Sequence, residues 1–166
     1  MKKPSTMILN APVQPCLWFD FQAEEAARFY TSVFPNSRMG TITHYGANAP
    51  MPEGTVLTVG FELNGQPWTA LNGGAAFPFN PAVSFMVICQ TQAEMDHYWS
   101  ALADDPAQGQ CGWLTDRFGL SWQIVPQLMV DLLPTPDTPG KQRLMAAMMG
   151  MKKLDIATLQ RAFSQA

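Results

Sequence analysis

Few side chains in this 166-residue chain have the chemistry for acid–base, nucleophilic or metal-centred catalysis. There are two histidines, His44 and His97, and three cysteines, Cys16, Cys89 and Cys111, with no CxxC pair. Both histidines stand apart from other ligand-type residues and read as surface or satisfied side chains. Cys16 has no basic neighbour in sequence to lower its pKa and reads as a small core residue. Gly119-Leu120-Ser121-Trp122-Gln123 begins like a nucleophile elbow, but the second glycine is missing and a strand is predicted there. Asn72-Gly73-Gly74 resembles a phosphate loop only superficially, because no helix opens after it. The most informative stretch is 111–126, which reads as strand, tight turn, strand. Asp116 can bond the turn backbone, and Gly119 can take positive φ. Leu120, Trp122 and Ile124 alternate with Ser121, Gln123 and Val125, so one face is apolar and the other carries Gln123. Gln123 is thereby expected to look into a pocket from the floor of a curved sheet.

The elements that would position Gln123 follow from the same patterning. Residues 1–12 read as a lead-in, 14–21 as a strand and 23–34 as a helix with Ala26, Phe29, Tyr30 and Val33 on one stripe. Strands are predicted at 37–45, 55–63 and 66–72, the last two joined by Asn64-Gly65, a strong type I′ hairpin signal. Residues 83–89 read as a buried strand. Thr91-Gln92-Ala93-Glu94 has the form of a capping box opening a helix that runs to about Leu102. Glu25 followed by Phe29-Tyr30 is echoed by Glu94 followed by Tyr98-Trp99. An internal repeat of about 70 residues is inferred, with repeat one at 13–73, a linker at 74–81 and repeat two at 82–126. The tail, 127–166, is helical in character. Thr138-Pro139 reads as N-cap and first residue of a helix, Gly150 as its C-cap, and 154–163 as a last short helix. The predicted class is α+β: two βαβββ repeats forming a curved mixed sheet around a pocket, with a C-terminal helical tail, all as one domain over 1–166.

Composition narrows the function. Charged residues are 14%, the net charge is −3 and the basic residues are scattered, which argues against a nucleic-acid partner. No apolar run reaches the ~20 residues of a membrane span, and 1–10 has no apolar run of signal-peptide length. Three widely spaced cysteines fit free thiols in a reducing cytosol, so a cytoplasmic protein is expected.

Several segments together resemble a known family. They are Leu17-Trp18-Phe19-Asp20, Leu71-Asn72-Gly73-Gly74, Asn80-Pro81-Ala82-Val83-Ser84-Phe85, Cys111-Gly112-Trp113, Asp116-Arg117-Phe118-Gly119, Ser121 to Pro126, and Met151-Lys152-Lys153. They are similar to the vicinal-oxygen-chelate superfamily of glyoxalases, bleomycin-resistance proteins and dioxygenases, and within it to the PhnB-like branch labelled 3-demethylubiquinone 3-methyltransferase-like. Metalloenzymes of that superfamily take ligands from four strands. The corresponding positions here are Gln14 (or Pro15 on a one-residue slip), Ala70 or Asn72, Ser84 and Gln123. None is His, Asp, Glu or Cys, so no bound metal or other cofactor is expected. Methyl transfer is not expected either, for want of a Gly-rich strand-to-helix turn. Strand alternation predicts an inward set of Gln14, Cys16, Trp18, Trp68, Ala70, Asn72, Ser84, Met86, Ser121 and Gln123. Of these, Gln14, Trp18, Trp68, Asn72, Ser84, Ser121 and Gln123 are the expected ligand contacts. Three functions stay open: metal-independent binding of a small, weakly polar molecule; an enzyme of unknown reaction with a weakly held metal; and an interaction module using the Met-rich tail. The resemblance also implies a homodimer.

Overall fold

Ala23, Ala26, Ala27, Tyr30 and Val33 recur at helical spacing, and all five are buried on one stripe of helix α1 (Ala23–Val33). In this computed structural model, which describes residues 12–165, α1 belongs to the first of two compact units, Met1–Phe77 and Pro78–Ala166. The strands of the first unit are β1 (Cys16–Phe19), β2 (Arg38–His44), β3 (Val56–Leu63) and β4 (Gln66–Asn72). They form one sheet in the order β1-β4-β3-β2, with β1 parallel to β4 and the other pairs antiparallel. Strand, helix and three strands is the order expected. Helix α1 ends where Phe34 turns extended ahead of Pro35. Asn64 and Gly65 both take positive φ, 48° and 79°, as a type I′ turn between β3 and β4 requires. Strand β1 is shorter than predicted, so Gln14 lies before it. Most of the predicted lead-in, 1–11, lies outside the described residues.

The second unit contains β5 (Ser84–Cys89), α2 (Gln92–Leu102), β6 (Trp113–Thr115) and β7 (Ser121–Pro126). Its sheet order is β5-β7-β6, with β5 parallel and β6 antiparallel to β7. The capping box is present: Glu94 N donates to Thr91 Oγ1 at 3.2 Å, and Glu94 Oε2 accepts from Thr91 N at 3.0 Å. This unit shows three strands where four were predicted. Between α2 and β6 the backbone forms turns and isolated bonds instead of a further ladder. Gln108 N donates to Asp105 O at 3.0 Å, and Gln110 and Trp113 exchange bonds at 3.1 and 2.9 Å. Pro106 has no N–H to offer a neighbouring strand. Strand β5 is only partly buried: Cys89 is buried and Phe85 and Val87 half-buried on one face, while Met86 is 50% and Ile88 47% exposed on the other.

Helices α3 (Gln127–Leu132), α4 (Pro139–Met149) and α5 (Ile156–Ser164) form the tail. Thr138 Oγ1 caps Lys141 N at 3.2 Å, with Pro139 in the first turn, and Gly150 is the C-cap, as the sequence predicts. Leu144, Leu154 and Leu159 are buried, and Arg143 Nε donates to Ala162 O at 3.0 Å, tying α4 to α5. Two main-chain bonds join the tail to the β6 end of the sheet: Cys111 N to Met151 O at 2.7 Å, and Gly112 N to Lys152 O at 2.8 Å. Among the described residues no helix is long and apolar enough to cross a membrane.

Candidate functional site

Each sheet has one face under its helix and one face turned away, and alternation decides which side chains occupy which. In the first unit Leu17, Phe19, Trp68, Ala70 and Asn72 are the buried, helix-side set. Trp68 stacks near Phe61 (6.1 Å between ring centroids), which in turn stacks on Tyr30 of α1 (6.4 Å). Asn72 Oδ1 accepts from Ala23 N at 2.9 Å, and its Nδ2 donates to Val56 O at 3.1 Å. It thus satisfies an N-terminal N–H of α1 that the N-cap residue Gln22 leaves open. The inward assignment of Trp68, Ala70 and Asn72 is therefore corrected by one residue. On β4 the outward positions are Thr69 and Leu71, register partners of Cys16 and Trp18.

The outward face of this unit keeps Gln14, Cys16 and Trp18 together. Gln14, which is exposed, donates from Nε2 to Thr69 Oγ1 at 2.7 Å. Trp18 is half-buried. Its Nε1 donates to Gly74 O at 2.7 Å, and its ring meets Phe77 edge-on at 5.0 Å. Only glycine fits at position 73, because a Cβ there would stand 2.2 Å from the Trp18 ring. Cys16 is exposed rather than a core residue, because β1 is an edge strand and this face has no helix over it. A groove of about 220 Å³ includes Gln14, Gly60 and Thr69, with the Arg38–Glu62 ion pair (2.6 Å) on its rim.

In the second unit the outward face carries Ser84, Met86 and Ile88 of β5, Ser121, Gln123 and Val125 of β7, and Trp113 and Thr115 of β6. Gln123 Nε2 donates to Ser84 Oγ at 2.8 Å, so these two predicted residues do meet. Ser121 is on the same face and buried. The hairpin beneath is fixed by Asp116, which is 2% exposed. Its Oδ1 accepts from Phe118 N (2.9 Å) and Leu120 N (3.0 Å), and its Oδ2 from Trp122 Nε1 (2.8 Å). Gly119 turns at φ +86°, as expected. Sequence reasoning passed over Thr69, Trp113 and Asp104. The first two were available from alternation, and the third required the loop geometry described below.

Neither face suits a divalent transition metal. Gln123 and Ser84 are neutral, an amide and a hydroxyl joined by one hydrogen bond, while Asn72 is committed to α1 and β3. Among the described residues no three His, Cys, Asp or Glu side chains gather as a metal-holding group. His44 and His97 are both exposed. The strongest titration shift lies on the helix side: burial first, and Glu94 second, push the Cys89 thiol from 9.0 up to about 11. Nor do the strand-to-helix turns suit a nucleotide-type cofactor. Asp20-Phe21-Gln22 and Gln90-Thr91 lack glycine; the Asn72 side chain already occupies the Ala23 N–H that follows the first turn, and Glu94 occupies those of Gln90 and Thr91.

The family described as 3-demethylubiquinone-9 3-methyltransferase matches residues 11–125. A solved structure, a putative 3-demethylubiquinone-9 3-methyltransferase, PhnB protein, from Bacillus cereus, is 35% identical. It aligns over 70% of this chain and 99% of its own length with a TM-score of 0.59. Protein PA1353 from Pseudomonas aeruginosa shares the fold at 20% identity, with a TM-score of 0.54 over 70% of this chain and 98% of that one. No curated protein matches. Helices α3 to α5 follow the residues that the family matches. The chain belongs to the PhnB-like, 3-demethylubiquinone-9 3-methyltransferase-like family.

Proposed function

We propose that this protein binds a small, weakly polar molecule on the outward face of the β5-β7-β6 sheet, without a bound metal. One observation carries the reading: none of the eight side chains on that face is ionisable. Exposed Met86 and Ile88 supply apolar area, Trp113 a flat indole edge, and the Gln123–Ser84 pair a carboxamide and hydroxyl that orient a polar group. A charged ligand would be desolvated there with nothing to compensate it. In the first unit, Gln14 and Trp18 offer a second set of neutral contacts. Methyl transfer is no part of the proposal, because the residues present do not fit its cofactor. The protein is further proposed to act as a cytoplasmic homodimer, in line with the family resemblance.

The test is a thermal-shift screen of neutral aromatic and aliphatic fragments, with elemental analysis of freshly purified protein. Hits should stabilise the wild-type chain and lose their effect in Gln123→Ala. Stabilisation that survives this change would move the site elsewhere, and stoichiometric zinc, nickel, manganese or iron would refute metal-free binding.

A further inference from the structure

The loop between α2 and β6 bounds a cleft of about 360 Å³ inside the second unit. This volume lies in the range of small-molecule sites. The loop is held in place by its own bonds. Asp104 N donates to Thr115 O at 3.0 Å. Asp105 accepts from Ala107 N and from Gln108 Nε2, each at 2.9 Å, and Lys152 Nζ donates to Ala107 O. Those bonds hold the Asp105 carboxyl below its usual range, with the Ala107 N–H the largest cause.

Three groups on the cleft wall remain uncommitted or half-open. Ser121 is 3% exposed, lines the cleft, and its hydroxyl makes no hydrogen bond among the described residues. The residue as a whole is buried, but its Oγ is not sealed off from solvent, so the hydroxyl is open to a group in the cleft. Asp104 lines the cleft with an exposed carboxylate that has no hydrogen bond or ion pair among the described residues. Trp113 is half-buried and adds an indole. No Lys, Arg or His lines the cleft.

We propose that this cleft binds a small organic cation bearing N–H donors, an ammonium or amidinium. Asp104 is its counter-ion, the Ser121 hydroxyl accepts an N–H, and the Trp113 ring forms the apolar and cation–π wall. Asp105 does not fill the role of Asp104, because both its oxygens are engaged and Lys152 lies near it. The cleft shares Ser121, Trp113 and Thr115 with the sheet face, but Gln123 and Ser84 do not line it, and Asp104, which supplies the charge, is not on that face.

Calorimetric titration of the full chain with benzamidine and with its uncharged analogue benzamide tests this. Benzamidine should bind saturably and more weakly as salt is raised, and benzamide should not bind. Asp104→Asn, an exposed change, should weaken benzamidine about tenfold or more. Gln123→Ala should leave its affinity unchanged. The proposal is overturned by absence of saturable benzamidine binding, by equal binding of benzamide, by an unaffected Asp104→Asn, or by loss of binding in Gln123→Ala.

Discussion

Replacing Asp116 with alanine removes three hydrogen bonds from a side chain that is 2% exposed, and the size of the effect follows from what is left behind. The N–H groups of Phe118 and Leu120 and the indole N–H of Trp122 lose their acceptor together. Bonds to a charged partner contribute about 1.5–3 kcal/mol each, but not additively, and water entering the vacated space recovers part of the loss. About 4 kcal/mol is expected, a large share of a domain's stability. That corresponds to a fall in Tm of about 8–16 °C for a chain of this length. Asp116→Asn is a finer test. One amide oxygen still serves the two backbone donors, but an NH2 then faces the Trp122 N–H, and about 2 kcal/mol is lost. In a Trp122→Phe background that donor clash is gone, so the same Asn change should cost about 1 kcal/mol less. Guanidinium unfolding followed by far-ultraviolet circular dichroism measures all these proteins without relying on Trp122 as a reporter. A loss under about 1 kcal/mol in Asp116→Ala, or no coupling in the cycle, would refute the claim that this carboxylate organises the hairpin beneath Gln123.

Two further outcomes follow from buried groups away from the faces. Asn72→Asp keeps the acceptor for Ala23 N but loses the donor to Val56 O and buries a charge, so about 2–3 kcal/mol should be lost at neutral pH. The loss should shrink in acid, where the introduced carboxyl is protonated and can donate to Val56 O, whereas Asn72→Ala should show no such recovery in pH-dependent unfolding. For Cys89, the folded state keeps a proton that the unfolded chain releases. Its contribution to stability is complete below pH 9.0 and lost as pH rises from 9.0 through about 11. Cys89→Ala should flatten that alkaline decline in denaturation midpoints without abolishing it, because burial also raises the Tyr98 hydroxyl.

Where the two faces of an element differ in polarity, the sequence predicted the structure. Leu120, Trp122 and Ile124 are wholly apolar against Ser121 and Gln123, so β7 could be oriented by inspection, and Ser84 fell into place beside it. The Asn64-Gly65 turn and the Thr91–Glu94 capping box are local signals complete within four residues, and both formed. Strand β4 offered no such contrast. Trp68, Ala70 and Asn72 on one face and Thr69 and Leu71 on the other each mix polar and apolar residues, so a one-residue shift costs nothing that a local reading can see. What fixes β4 is the Asn72 side chain reaching Ala23 N, 49 positions away in sequence, at the start of α1. Cys16 was misread for a related reason. Its exposure depends on β1 being the sheet edge, which is a property of strand order and not of the residue.

The same distinction explains where the internal repeat holds and where it stops. Its helices correspond: Tyr30 and Trp99, the second aromatic of each matched pair, are both buried, while Phe29 and Tyr98 are both half-buried. That correspondence is set by 3.6-residue periodicity and survives divergence of everything else. The strands depend on backbone partners, and in the second unit one strand position is given up to the loop that shapes the cleft. The main-chain donors that follow the loop, Cys111 N and Gly112 N, are then bonded by Met151 O and Lys152 O. Backbone N–H groups at the end of a sheet need acceptors. The tail, which follows the residues shared with the family, supplies them. Its role in this chain is therefore to complete the shortened second sheet and, through Lys152 and Ala107, to brace the loop on which Asp104 stands.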